Sequence, residues 1–415
     1  MAEFRNFRKK DQKNNIVSNR NSADFSRQED NKETAMSIHR RISRHKMLIF
    51  YRILVALIVI VLMAAIGYYS WLNKTYTDYD VTNTIPWERA QSADCMPLGN
   101  TIFSYSKDGM TCTDAKGTTL WNVTFEMQEP IIRICKNIVA IGDYNGRTIY
   151  VCDTSKQLAQ IDTTIPIRDF AVSANGVVAA ILDDTNITSI YMYDTSGTEL
   201  AYFKTTMSKS GYPLALGISD NSQQVAISYL NAGNGTASSN VAFYNFSEVG
   251  QNYTDNLVGG YGYADAVVPF ITFMNDQTVF AVADNRLMIY QGAEIPKNTA
   301  DVVLQEEVQS IFYNSQYIGL VYFNTNGNSK YRMDIYDING KKVHTYEFDL
   351  EYTDILFTEN GAVIYNDSEC EIYNWKGIVK YQGTFKEAVF TMIPTTSNTK
   401  YVLVTGKSIQ TIELK

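Results

Sequence analysis

Residues 53–69 (ILVALIVIVLMAAIGYY) carry no charge, and residues 47–51 and 70–72 extend the apolar run on either side. At 1.5 Å rise, about 20 to 23 helical residues cover the roughly 30 Å hydrocarbon core, so residues 47–72 are predicted to form one membrane-spanning helix. Past residue 79 the pattern changes. Short runs of β-branched and aromatic residues alternate with Asn, Asp, Gly and Ser turns, which predicts an all-β domain.

A strand-turn-strand phrase recurs through that domain, as CTDAKGTTLWNVTF from Cys112, YVCDTSKQLAQI from Tyr150, YMYDTSGTELAYF from Tyr191 and DIYDINGKKVHTYEF from Asp334. It reads as a hairpin whose Asp caps the turn and whose Gly, three residues on, takes a positive φ. Aligning Asp114, Asp153, Asp194, Asn245, Gln291, Asp337 and Asn374 gives spacings of 39, 41, 51, 46, 46 and 37. Four short strands per period of about 40 to 50 residues indicate a β-propeller. The units fall near residues 93–125, 130–162, 166–204, 212–253, 265–304, 307–349 and 353–385, and residues 387–415 supply three further strands. A connector and closing strand at 73–86 completes that last sheet, which favours eight blades over residues 87–415; seven follow if one weak unit is misdivided. Closure of this kind also hides a sheet edge.

Charge divides the chain at the same place as hydropathy. Residues 1–52 hold 13 Lys/Arg and 6 Asp/Glu, a net of +7; the remainder holds 36 − 13 = 23 and 44 − 6 = 38, a net of −15. Arg40, Arg41, Arg44, Lys46 and Arg52 crowd the N-terminal side of the span. By the positive-inside rule residues 1–46 are cytoplasmic and the propeller is outside, a single-pass type II arrangement. The low apolar content of residues 1–46 predicts a disordered basic segment, attracted to anionic lipid. Ser43, preceded by Arg40 and Arg41, is a candidate phosphosite whose phosphate would weaken that attraction. An acidic external bulk argues against nucleic acid as a partner.

The phrase at Asp114, Gly117, Leu120 and Trp121 resembles the blade signature of quinoprotein-like propellers; the Trp-Asp dipeptide of WD40-like repeats is absent. The layout of basic tail, single anchor and external propeller resembles the family of unknown function 5711 of anaerobic Gram-positive bacteria. That resemblance implies a fold and a location in the cell envelope, and brings no activity or cofactor with it. Quinone chemistry, which kinship to the true dehydrogenases would imply, needs a calcium ion with carboxylate ligands and a base and usually a disulfide stacked on the cofactor, and the chain has no adjacent Cys pair. His344, alone in the external domain, falls on an outer strand far from any channel, so no catalytic, cofactor or metal site is assigned. The five cysteines are expected to be free. Cys95 and Cys112, and likewise Cys135 and Cys152, fall on the first and third strands of one sheet, about 9.6 Å apart at ~4.8 Å per strand, too far for a disulfide.

In a propeller the turns between second and third strands share one face, here the first face, with the connections between blades. The long connections are assigned there: 183–189, 231–239, 255–264 and 324–331. Asn231, Asn234, Gly259, Gly260, Tyr261, Tyr263, Asn324 and Tyr331 are therefore the candidate interaction residues, with Gly259 to Tyr263 read as a loop holding exposed aromatics. The expected role is a membrane-anchored, non-enzymatic scaffold binding an envelope protein. The alternatives are a module for wall polysaccharide and a carboxylate-dependent enzyme.

Overall fold

A computed structural model describes residues 36, 40–70, 73–90, 92–184, 187–205, 210–233, 236–325 and 327–415. It divides into two units, Met1–Lys74 and Thr75–Lys415. In the first, the helix Arg40–Ser70 is 31 residues long and apolar enough to cross a membrane. The helix starts before the expected span, so Arg40, Arg41, Ser43, Arg44 and Lys46 are helical and not part of a disordered segment. Arg and Lys are good helix formers, and extending an existing helix avoids the cost of nucleation. Residues 1–35, 37–39, Trp71 and Leu72 lie outside the described residues.

The second unit is a propeller of eight four-stranded antiparallel sheets. Blade one comprises strands Asp94–Leu98, Thr101–Tyr105, Gly109–Thr113 and Thr119–Thr124; blades two to seven follow with innermost strands Pro130–Cys135, Ile167–Val172, Tyr212–Ile218, Phe270–Asn275, Ser310–Tyr313 and Asp354–Phe357. Each blade buries both faces of its second strand, so Ile138, Val139, Ala140, Ile141 and Gly142 are all buried instead of alternating. The apolar clusters bridge neighbouring blades. Phe103 and Met110 of blade one pack with Val139 and Cys152 of blade two, and Ile102 of blade one packs with Ile393 and Val404 of blade eight.

The repeated turn is built as its sequence predicts. Asp114 Oδ1 accepts from the amides of Lys116 and Thr118, both at 2.8 Å, and Gly117 has φ 80°. The same arrangement recurs at Asp194 with Gly197, Asp337 with Gly340 and Asn374 with Gly377. Trp121 donates from Nε1 to the carbonyl of Asp153 at 2.8 Å, tying blade one to the turn of blade two.

Blade eight joins the two ends of the propeller. Val389–Pro394, Lys400–Thr405 and Ser408–Leu414 are completed by Tyr79–Pro86, with Tyr79 opposite Leu414 and Pro86 opposite Ser408. Just upstream, Tyr76 forms a parallel bridge to Tyr381 on the outer strand of blade seven, where its amide donates to Lys380 O at 2.8 Å.

Blade four departs from the expected division. Its third and fourth strands are Thr236–Asn245 and Leu257–Tyr263, so the blade runs to residue 263 and its long connection is 246–256, with 3-10 turns at Gly250–Asn252 and Thr254–Asn256. That connection lies between third and fourth strands, on the second face, and no long loop exists at 255–264. Gly260 and Gly262, which suggest a loop, occupy exposed positions of an outermost strand, where a missing side chain loses little packing. The expected loops at 231–239 and 183–189 are likewise mostly strand. Asn231 pairs with Ser238 in a long hairpin, and Asp183 pairs with Thr188.

Candidate functional site

The innermost strands of blades two to six enclose a cavity of about 300 Å³ on the central axis. Its polar groups are matched to one another. Arg133 Nη2 donates to Asp169 Oδ1 at 2.6 Å, Lys136 Nζ meets Asp220 Oδ2 at 2.6 Å, and the Tyr313 hydroxyl bonds Thr272 Oγ1 at 3.2 Å. Burial raises the Asp169 pKa above the usual carboxylate value, against the pull of Arg133. Cys135 donates to Asp220 Oδ1 at 3.3 Å, and burial followed by that carboxylate pushes its thiol up to about 12. At neutral pH it is protonated and a poor nucleophile. Cys95, Cys112, Cys152 and Cys370 are also unpaired thiols. Strand Thr101–Tyr105 separates the strands of Cys95 and Cys112, and Ile138–Asp143 separates those of Cys135 and Cys152. Among the described residues no group of three or more His, Cys, Asp or Glu is placed to hold a metal.

On the first face, beside the channel mouth, Arg168 gathers residues from neighbouring blades. Its Nη1 donates to Tyr144 Oη at 3.0 Å and to Asn145 Oδ1 at 2.6 Å, while Nε meets Asp183 Oδ2 at 3.2 Å. Asp183 also accepts from Thr188 at 3.0 Å, so it is an ion-paired strand end. Burial, and then the Asp183 carboxylate, raise the pKa of Tyr212, whose hydroxyl lies 3.5 Å from Oδ2.

Blade six carries an aromatic row at the same face. Phe323, Tyr331 and Phe348 stand opposite one another on its second, third and fourth strands, stacked at 5.6 Å and 5.5 Å between centroids. Tyr352 packs edge-on against Tyr331 at 5.2 Å and shares a 2.8 Å hydrogen bond with Ser310. Phe348 is 2% exposed, whereas Phe323, at the free end of the row, is 49% exposed. Asn324 follows Phe323 in the loop, so Asn324 and Tyr331 are neighbours there as expected of a shared face.

The other candidate residues do not join them. Tyr261 donates to Pro296 O at 3.2 Å and accepts from the amide of Asn298 at 3.1 Å, filling the seam between blades four and five. Tyr263 is 8% exposed, with its hydroxyl 2.6 Å from that of Tyr290. Gly259 and Gly260 stand beside them in the strand, and Asn234 lies outside the described residues. These tyrosines are core residues and not an exposed binding patch. Accordingly Tyr263→Ser is expected to cost about 3–5 kcal/mol, as for other buried aromatics, read as a lowered urea midpoint. An unchanged midpoint would contradict the packing.

Two features escaped the sequence. One is the long second-face connection at 246–256, where Asp255 and Asn256 have φ of 55° and 57° and Tyr253 is 42% exposed. The consecutive Asp-Asn pair, tolerant of left-handed backbone, was the available signal. The other is an apolar groove on the first face between blades five and six, assembled from segments near residues 269, 283 and 308.

The model of a family described as "Family of unknown function (DUF5711)" matches residues 72–414. No curated protein matches the sequence. Among solved structures, Sqt1 from Saccharomyces cerevisiae is 11% identical with a TM-score of 0.52, covering 81% of this chain and 99% of that one. Sqt1 from Chaetomium thermophilum, bound to the N-terminus of the ribosomal protein L10, is 10% identical with a TM-score of 0.53 over 81% and 100%. BamB from Moraxella catarrhalis is 12% identical with a TM-score of 0.46 over 81% and 100%. At these identities the likeness is one of fold.

Proposed function

We propose, from the premise that the chain belongs to DUF5711, a family of unknown function, that it is a membrane-anchored propeller whose first face docks a protein partner in the bacterial cell envelope, without enzymatic activity of its own. The observation that carries the reading is the aromatic row of blade six. Three of its rings are sheltered, yet Phe323 ends the row 49% exposed at the face where long hairpins and the channel mouth also converge. A large ring left half in water contributes little to the fold and offers contact area to a partner. The apolar helix Arg40–Ser70 supplies the anchor, and its basic end supports a cytoplasmic N-terminus with attraction to lipid headgroups. The Chaetomium thermophilum structure is an instance of this fold taking up a segment of another protein.

A second reading, recognition of wall polysaccharide, is favoured by one observation in blade three. Tyr202 is 53% exposed and stacks at 5.4 Å on Tyr191, leaving its outer ring face open to a sugar. Both readings meet in one test on the full chain in native membranes, with a photocrosslinking amino acid at Phe323 or at Tyr253. One recurrent protein adduct from Phe323 and none from Tyr253 is expected. Equal labelling from both positions would overturn the docking face, and retention on washed cell wall that Tyr202→Ser abolishes would favour the second reading.

A further inference from the structure

The groove between blades five and six opens on the first face with a volume of about 570 Å³. Its floor is apolar, lined by Pro269, Phe270 and Val282 from blade five and by Val308 and Ile311 from blade six. It adjoins the aromatic row, since Ser310 lines the groove and bonds the Tyr352 hydroxyl.

The rim is acidic. Asp284 and Glu307 both line the groove and are exposed; Asp284 Oδ1 accepts from the Val267 amide at 3.1 Å, and among the described residues neither carboxylate has a lysine or arginine within ion-pair distance. The nearby cations are already committed. Arg286 is held by Asp265 at 2.9 Å and by Asp301 at 3.5 Å, and Arg332 by Glu306 at 3.0 Å. Arg332 also meets Asp334 at 3.6 Å, so four carboxylates already pair with these two guanidinium groups, and Asp284 and Glu307 add two further negative charges at the rim.

We propose that this groove takes a chain segment of a partner protein in which a large apolar side chain lies beside lysine or arginine. The apolar residue fills the floor between Phe270 and Val308, and the flanking cations meet Asp284 and Glu307. The apolar contact supplies most of the affinity, while the carboxylates speed encounter and fix orientation. This inference names the partner for the docking face proposed above and rests on that reading.

The test uses the full chain in detergent micelles and a fluorescein-labelled peptide, Lys-Leu-Lys-Phe-Lys, followed by anisotropy. Saturable binding is expected, weakened at least tenfold in Asp284→Lys/Glu307→Lys and weakened again as salt is raised. Both positions are exposed, so the variant should keep the wild-type urea midpoint. Glu248→Lys, on the second face, should bind as wild type, and Lys-Ser-Lys-Ser-Lys should bind at least tenfold more weakly than the apolar peptide. The proposal is overturned by absent binding, by an equal loss in Glu248→Lys, or by equal binding of the serine peptide. If Phe323 still captures one protein in membranes while the peptide fails, this inference falls and the docking face stands.

Discussion

Replacing residues 79–86 of the full chain by a Gly/Ser linker of equal length is expected to remove about 5–8 kcal/mol of propeller stability, a large share of the 5–15 kcal/mol that domains possess. Tyr79 is 1% exposed, its ring lies edge-on to Phe385 at 6.5 Å, and its hydroxyl accepts from the Lys386 amide at 2.9 Å. Losing that aromatic alone costs about 3–5 kcal/mol. The rest comes from Ile85, which packs in the seam of blades eight and one, and from the ladder to Ser408–Leu414. The exposed edge of that last strand becomes a template for pairing with another chain, so oligomers should accompany the loss. A synthetic peptide of residues 75–87 added in trans should restore both the urea midpoint and the monomer. A linker variant that melts as wild type would show that the ring closes without its N-terminal strand.

The long apolar helix and the propeller were legible for different reasons. An uncharged run long enough to span is a local signal. The blade count was legible because the capped turn, an Asp followed by Gly at positive φ, recurs at a period that four short strands explain. Blade four was misdivided because its insertion follows the third strand, and Leu257–Tyr263 places three glycines in an outermost strand that propensity alone reads as loop. The channel pairing of Arg133 with Asp169 joins two blades and so depends on how whole blades pack, whereas the rim pairing of Arg168 with Asp183 depends on the register of two adjacent strands of blade three, which is shifted by a bulge there. The groove is harder still, since its floor comes from two blades and its residue types are those of any core. The placement of Asn324 and Tyr331 on one face was legible because a polar insertion between two strands marks a face even when the register is unknown.

Alkaline pH is expected to unfold the propeller cooperatively between about pH 10 and 11, because its tyrosines are core residues. Tyr79, Tyr229, Tyr290, Tyr322, Tyr346, Tyr365 and Tyr381 are each at most 2% exposed. Burial raises the pKa of every one above the ordinary value of 10.0, with neighbouring hydroxyls and carboxylates adding to it at several. For a group whose folded pKa is raised, the associated stability is complete below the unfolded pKa and is lost as pH climbs toward the folded one. Below about pH 9 these groups therefore cost nothing. Above 10 the unfolded chain releases their protons while the native chain holds them, at about 1.4 kcal/mol per group per pH unit. Six of these groups, Tyr79 apart, are shifted far enough to count in full, and together reach about 8 kcal/mol at pH 11, most of the margin of a typical domain. Tyrosinate absorbance should accordingly rise in two stages, gradually for exposed rings such as Tyr202 and then in one step coincident with loss of the β-sheet circular dichroism signal. A single gradual titration through pH 11.5 with the sheet signal intact would mean that these rings ionise in place, and that the interblade packing is looser than their burial implies.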